Sequence, residues 1–157
     1  MNAKKNYIYL ETEEIIDNET GEIKESKKFS KVSIPKEENY IKIYIKHINY
    51  LNDLPNGLDP LIYGLIKRVG YNNQIVINSS IKREISKEID KSFNTVNQYI
   101  TKLVKSKIIL RKDVGIYVLN PIFYGKGNWT DIIDLRKQLE LTITYNDGNY
   151  VIKSNLD

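Results

Sequence analysis

Asn78-Ser79-Ser80-Ile81-Lys82-Arg83-Glu84-Ile85-Ser86-Lys87-Glu88-Ile89-Asp90-Lys91-Ser92-Phe93-Asn94-Thr95-Val96-Asn97-Gln98-Tyr99-Ile100-Thr101-Lys102-Leu103 reads as two amphipathic helices separated by a tight turn. Ile81, Ile85 and Ile89 recur at i, i+4 and i+8, which places them on one helix face, with Lys82, Arg83 and Lys87 on the other. Asn78, Ser79 and Ser80 offer caps for the first helix, Asp90-Lys91 supplies the turn, and Ser92 is an N-cap for the second. The inner face of the second helix is Val96, Tyr99 or Ile100, and Leu103, and Lys105-Ser106-Lys107 ends it.

Working outward, Ile108–Arg111 reads as a strand, Lys112-Asp113-Val114-Gly115 as a turn and Ile116–Leu119 as a returning strand. Upstream, Asp59-Pro60 predicts a helix start with Asp as N-cap and Pro at the first helical position. Leu61, Ile62, Leu65, Ile66 and Val69 form its stripe and Gly70 its C-terminal glycine, before a short β-rich run at Gln74–Ile77. The order from Asp59 to Leu119 is helix, short strand, helix, turn, helix, two-stranded hairpin. That is the winged helix-turn-helix order, in which the second helix of the pair enters the major groove. Ile85, Ile89, Val96, Ile100 and Leu103 are expected to bury against Leu61, Leu65, Ile66 and Val69.

The expected fold class is α+β: a winged helix-turn-helix core with an N-terminal arm or hairpin and a C-terminal helix plus hairpin. Residues 1–38 are expected to form the arm or hairpin, with strands near Tyr7–Leu10 and Phe29–Ile34 about a turn at Asp17–Gly21. Their density of Glu and Lys is equally compatible with partial disorder. The DNA-binding domain is expected over 39–139 and a hairpin tail over 140–157. Tyr40–Leu51 shows strand alternation at Ile41, Ile43 and Ile45, but a helix stripe of Ile41, Ile45, Ile48 and Leu51 fits better and covers the whole run, so a helix is expected. Asn128 is expected to cap a last helix with Trp129, Ile132, Leu135 and Leu139 facing inward, and Asn146-Asp147-Gly148 marks the final hairpin turn.

Charge is concentrated in the same stretch. The chain carries a net charge of +4, yet residues 67–112 hold eleven Lys or Arg against three acids, a net +8, and the rest nets −4. A localised positive segment is what a phosphate-facing surface requires. The expected DNA-contacting residues run along the outer face of the helix at about 92–105: Ser92, Phe93, Asn94, Thr95, Asn97, Gln98, Thr101, Lys102 and Lys105. Asn and Gln amides pair with N6 and N7 of adenine, while Thr101 or Phe93 suits thymine methyls. Lys102 and Lys105 sit at phosphate height, and the free N–H groups near Ser92 can hold a phosphate. Arg111 and Lys112 of the wing (about 108–119), with Lys82 and Arg83 on the preceding helix, complete the candidate site.

Several function classes are excluded or disfavoured. There is no cysteine, so no disulfide, thiolate metal site or catalytic thiol exists, which fits a reducing interior. A single histidine, His47, cannot supply the two-histidine metal site of a rolling-circle nickase. No G-x-x-x-x-G-K-[ST] loop is present, and Gly125-Lys126-Gly127 is better read as a loop between wing and last helix. No apolar stretch approaches the roughly 20 residues of a membrane span, and no signal-peptide apolar region leads the chain. A cytoplasmic, non-enzymatic protein without cofactor or metal is expected. The wealth of Ile, Lys, Asn and Tyr fits an AT-rich coding genome and argues against weight on any single Asn or Lys.

The stretch Thr95-Val96-Asn97 through Leu103-Val104, then Ile108–Arg111, then Gly115-Ile116-Tyr117-Val118-Leu119-Asn120-Pro121 resembles the RepL-type plasmid replication proteins of Gram-positive bacteria. Phe123-Tyr124-Gly125-Lys126-Gly127-Asn128-Trp129-Thr130-Asp131-Ile132, followed by Leu135-Arg136, is its most specific part. Residues from about Phe29 to Arg136 fit the layout. The resemblance implies a replication protein that binds double-stranded origin DNA and recruits host replication proteins, with no chemistry of its own. The family's turn usually carries a Gly near Asp90-Lys91, which this chain lacks. The same domain also suits a transcriptional repressor of phage or plasmid genes, or a protein-interaction module, because fold does not fix function. A homodimer is expected, joined through the last helix (Trp129, Ile132, Leu139) or the segment Ile41–Leu51.

Overall fold

Chain contacts divide the molecule into two units, residues 1–39 and 40–157. The computed structural model describes residues 6–33 and 38–157. Ile34, at the end of the second expected N-terminal strand, lies outside the described residues.

The first unit is an antiparallel pair, β1 (Asn6–Ile16) and β2 (Ile23–Ser33). Its turn is set by Asp17, whose Oδ1 accepts from the backbone N–H of Glu19 (2.8 Å) and Thr20 (3.3 Å) and whose carboxylate pairs with Lys24 at 2.6 Å. These interactions, the largest from Lys24, hold the Asp17 carboxyl below the usual carboxylate range. Gly21, at φ +72°, donates its N–H to the Asp17 carbonyl and so closes the loop in a conformation that glycine adopts without strain.

In the second unit the chain runs β3 (Lys42–Ile43), a 3₁₀ turn (Ile45–His47), α1 (Ile48–Asn52), α2 (Asp59–Ile66), a 3₁₀ turn (Tyr71–Asn73) and β4 (Gln74–Val76). It continues through α3 (Ser79–Glu88), α4 (Phe93–Lys105), β5 (Ile109–Asp113), β6 (Ile116–Leu119), β7 (Tyr124–Gly125), α5 (Trp129–Gln138), β8 (Thr142–Asn146) and β9 (Asn149–Lys153). The described residues thus form a mixed α+β structure with five α-helices and several small sheets. The central sheet has strand order β4-β6-β5, all antiparallel.

Alternation across that sheet explains the continuous apolar run Ile108-Ile109-Leu110. Ile109 pairs with Leu119 and Leu110 with Val118, so successive pairs point to opposite faces. One face, with Ile75, joins Leu61, Leu65, Ile85, Val96, Ile100 and Leu103 from α2, α3 and α4 in the main core. The other carries Leu110 and Val118 and packs on Leu135 and Leu139 from α5. The sheet is buried on both sides, which is why no polar residue interrupts the run. Ile66 and Ile89 join the main core while only partly buried.

Three helices end in the same way without glycine. After α3, Lys91 N–H donates to Ser86 C=O and Asp90 N–H to Lys87 C=O; after α4, Ile108 to Leu103 and Lys107 to Val104; after α5, Leu141 to Arg136 and Glu140 to Lys137. These are Schellman bonds, and each places a left-handed residue where glycine is usual: Asp90 (φ +51°), Lys107 (φ +56°) and Glu140 (φ +48°). Left-handed backbone costs an L-residue about 1–2 kcal/mol, less for Asp, while glycine adds entropy to the unfolded chain. Glu140→Gly is therefore expected to stabilise by about 0.5–1 kcal/mol and Asp90→Gly by less, measured as the shift in urea midpoint at constant m-value. A destabilising Glu140→Gly would show that the backbone here carries no strain.

Several expectations are corrected by this packing. Tyr40–Leu51 is not one helix: Lys42 and Ile43 pair with Gly125 and Tyr124, and Tyr44 N–H donates to Phe123 C=O at 2.9 Å, so sheet pairing claims the first half. The N-cap of α2 is Leu58, not Asp59, and Gly70 (φ −95°) follows a tightened turn and is not a left-handed cap. β5 extends through Asp113, leaving Val114-Gly115 as the turn. Gly125 lies in β7 and is not part of a loop. Trp129 is half exposed, whereas Ile132, Leu135 and Leu139 are buried. The last two of the described hairpin's strands, β8 and β9, turn at Asp147 (φ +50°) and Gly148 (φ +81°), the positive pair of a type I′ turn, and Ile152 joins the main core.

Candidate nucleic-acid interface

α4 is positioned by its caps and its apolar stripe. Ser92 Oγ accepts from Thr95 N–H at 3.1 Å and lies 2.9 Å from Thr95 Oγ1, so both hydroxyls serve the helix start. Val96, Ile100 and Leu103 are buried, at 0, 5 and 0% exposure. The helical repeat then turns Asn94, Gln98, Thr101 and Lys105 outward together, and all four are exposed, as is Lys102. Asn97, Thr95 and Phe93 are half-buried at the margins. Thr101 donates its hydroxyl to Asn97 C=O at 3.0 Å, while the side chains of Asn94, Asn97 and Gln98 take no part in the hydrogen bonds of this helix. Lys102 Nζ stands 5.6 Å from the Tyr99 ring centre. Of the candidate readers, the three amides are therefore the ones with uncommitted hydrogen-bonding groups.

α4 packs on α3 and on β5, which carry the remaining candidates. Arg111 and Lys112 are exposed on β5, at the register shift between Arg111 and Asp113. The hairpin tip is fixed: Gly115 (φ +71°) gives its carbonyl to Ile77 N–H at 2.7 Å, and Asp113 Oδ1 accepts from Val114 N–H at 2.6 Å. The tip residue is Val114, 82% exposed, so the cations stand on the strand and not at the turn. On α3, Arg83 is exposed and Lys82 half-buried.

Two of the three acids in residues 67–112, Glu84 and Glu88, are engaged away from α4. Arg68, after α2, bonds Glu88 at 2.5 and 3.2 Å, Glu84 at 3.4 Å and Gly64 C=O at 2.8 Å, and Lys67 lies 3.8 Å from Glu88. The Arg68 guanidinium holds the Glu88 carboxyl below its ordinary range. Among the described residues, Lys82, Arg83, Lys102, Lys105, Arg111 and Lys112 make no ion pair, and α4 contains no acidic residue. Positive charge is thereby separated: Arg68 and Lys67 are paired with Glu84 and Glu88 between α2 and α3, while Lys82 and Arg83 of α3 and the cations of α4 and β5 stay without an ion pair among the described residues. Sequence counting gave the total but not this partition, because the partner of Glu88 lies twenty positions away. No cluster of three or more His, Cys, Asp or Glu able to hold a metal occurs among the described residues, and no described helix is long and apolar enough to cross a membrane.

An α+β chain whose paired helices α3 and α4 lead into an antiparallel hairpin, with unpaired cations on both helices and on the hairpin among the described residues, defines the class. The chain belongs to the Firmicute plasmid replication protein (RepL) family, whose model matches residues 1–150. No curated protein and no solved structure matches it.

Proposed function

We propose that the protein is a non-catalytic double-stranded DNA-binding replication protein, with a winged helix-turn-helix core that reads plasmid origin DNA through α4 and the β5–β6 wing. The observation that carries this reading is the separation of charge: among the described residues, Asn94 and Gln98 make no side-chain hydrogen bond and Lys102 and Lys105 no ion pair on the exposed face of α4. Family membership supports replication over repression as the purpose of the contact. Asn94, Asn97 and Gln98 are the proposed base readers; Lys102, Lys105, Arg111, Lys112, Lys82 and Arg83 are the proposed phosphate contacts. Ser92 and Thr95 contribute through the helix start they cap.

Fluorescence anisotropy with selected and random duplex DNA across a salt series tests this. A steep loss of affinity with salt and an enriched motif near a plasmid origin are expected. Weak binding that salt does not change would leave a protein-interaction module, and a motif at a promoter alone would leave a repressor.

The protein is further proposed to bind as a dimer and to recruit host replication proteins once on DNA. Ile132 and Leu139 are buried within the single chain, which favours other residues for the contact. Ile43, Ile45, Ile48 and Trp129 remain exposed at 50, 78, 40 and 50%. Sedimentation at micromolar concentration should show a dimer that Ile45→Asp dissociates; monomer alone would remove the dimer.

A further inference from the structure

Arg136 is served differently from Arg68. Arg68, partly buried, meets two carboxylates and a carbonyl. Arg136, also partly buried, has among the described residues a single hydrogen bond, from Nε to Pro121 C=O at 2.8 Å. Its guanidinium carbon lies 4.8 Å from the Tyr44 ring centre and 5.0 Å from that of Trp129, and the two rings meet edge to face at 5.5 Å. No carboxylate pairs with it among the described residues. An arginine has five N–H donors in a planar fork; the rings and the Nε bond hold this one in place, and its two terminal nitrogens meet no acceptor among the described residues. A half-buried cation without a counter-ion is costly unless something anionic meets it.

That fork borders a cavity of about 290 Å³. Lys46 and His47 line the same cavity; Lys46 adds a second positive charge beside Arg136, and no acid lines it. Ile122, Leu141 and Ile143 give it an apolar wall. The hydroxyl of Tyr44, another lining residue, is buried without a partner. Burial is the main cause that lowers the His47 pKa, and the Lys46 and Arg136 charges add to it. Tyr44 reaches its place because residue 125 is glycine: a Cβ there would meet Tyr44 Oη and lie 3.0 Å from Cζ. None of the lining residues belongs to α3, α4, β5 or β6, so this is not the nucleic-acid face.

We propose that this cavity binds a small organic oxyanion, with Arg136 gripping the anionic group through both terminal nitrogens and the apolar wall receiving the body. A carboxylate and a phosphate monoester share this chemistry, since the arginine fork matches either. The volume sits at the small end of ligand pockets, about 300 Å³ upward, which selects a compact molecule over a peptide segment.

Trp129 is the chain's single tryptophan, so an ¹⁵N-labelled sample of the full chain shows one indole N–H signal from the wall of the site. Benzoate and phenyl phosphate are titrated against benzyl alcohol, an uncharged body, and inorganic phosphate, an anion without one. Saturable indole shifts are expected with benzoate, phenyl phosphate or both, at least tenfold stronger than with either control; the preferred anion distinguishes a carboxylate from a phosphoryl ligand. Arg136→Gln and Arg136→Lys should each weaken binding at least tenfold, the second because charge without the fork does not suffice. Should the Arg136 variants fail to fold, Lys46→Ala, on an exposed lining residue, should weaken binding several-fold. No shift with any organic anion, equal binding of a control, or wild-type affinity in a folded Arg136→Gln or Lys46→Ala variant would overturn the proposal.

Discussion

Asn73→Leu will destabilise the protein by roughly 3–5 kcal/mol, more than most truncations of its aliphatic core. Asn73 is fully buried. Its Nδ2 donates to Leu119 C=O at 3.0 Å and Tyr124 C=O at 2.9 Å, and its Oδ1 accepts from Lys126 N–H at 2.8 Å. One amide thus ties the end of β6, the β7 strand and the Gly125-Lys126-Gly127 segment to the turn before β4. Leucine has nearly the same shape but none of these groups, and each buried donor or acceptor left unmet costs about 1–3 kcal/mol. The backbone adds to this: Asn72 and Asn73 stand at φ +53° and +55°, which asparagine tolerates and a branched aliphatic residue resists by about 1–2 kcal/mol. Asn73→Asp should fare no better, because it keeps the acceptor while setting a carboxylate against two carbonyl oxygens. Urea unfolding reads the difference directly, and a loss below about 1 kcal/mol for Asn73→Leu would mean that the three backbone groups find other partners.

That residue also marks where sequence reading stops. The abundance of Asn counselled against weighing any one of them, and composition cannot distinguish a surface Asn from Asn73 or Asn120. Asn120 is likewise buried; its Nδ2 donates to Lys107 C=O at 2.7 Å and its Oδ1 accepts from Ile122 N–H at 2.9 Å. What periodicity does carry is visible in α3 and α4: Ile85, Val96, Ile100 and Leu103 are buried as their spacing requires, and Asn78 and Ser92 cap as their chemistry requires. The strands of the central hairpin were legible from Ile108-Ile109-Leu110 and Ile116–Leu119 for the same reason. The segment 40–51 was not, because its helix stripe fits better locally than its alternation, and pairing with Tyr124-Gly125, distant in the chain, claims its first half for a strand. Glycine proved a poor marker of helix ends: Gly70 is not the left-handed cap expected after α2, whereas α4 ends at Lys105-Ser106-Lys107 as expected and Lys107 and Glu140 take the left-handed role with no local signal. In the candidate interface, the outward face of α4 followed from the helical repeat, but the Arg68–Glu88 pairing and the cavity beside Arg136 are products of tertiary packing and left no trace in spacing.

The second large effect concerns DNA. On a selected duplex, Asn97→Ala and Gln98→Ala are each expected to cost about 1–3 kcal/mol, roughly 5- to 150-fold in affinity, and to leave binding to random duplex nearly unchanged. Gln98 is the cleaner probe because it is exposed, so its truncation should leave thermal stability within about 0.5 kcal/mol. Asn97 is half-buried, and its variant must be shown to be folded before its affinity is read. Lys102→Ala and Arg111→Ala should act differently: both weaken every sequence alike and each lowers the salt slope by about one. Lys67→Ala supplies the internal contrast. It removes the same charge from the same basic stretch, yet Lys67 lies beside Glu88 in the α2–α3 ion-pair group, so the slope should stay where it was. If net charge alone drove binding, Lys67→Ala and Lys102→Ala would behave alike, and the assignment of α4 as the reading helix would fall. If Lys102→Ala flattens the slope while Lys67→Ala does not, and Gln98→Ala erases preference without loss of random binding, then phosphate contact and base reading both reside on the exposed face of α4.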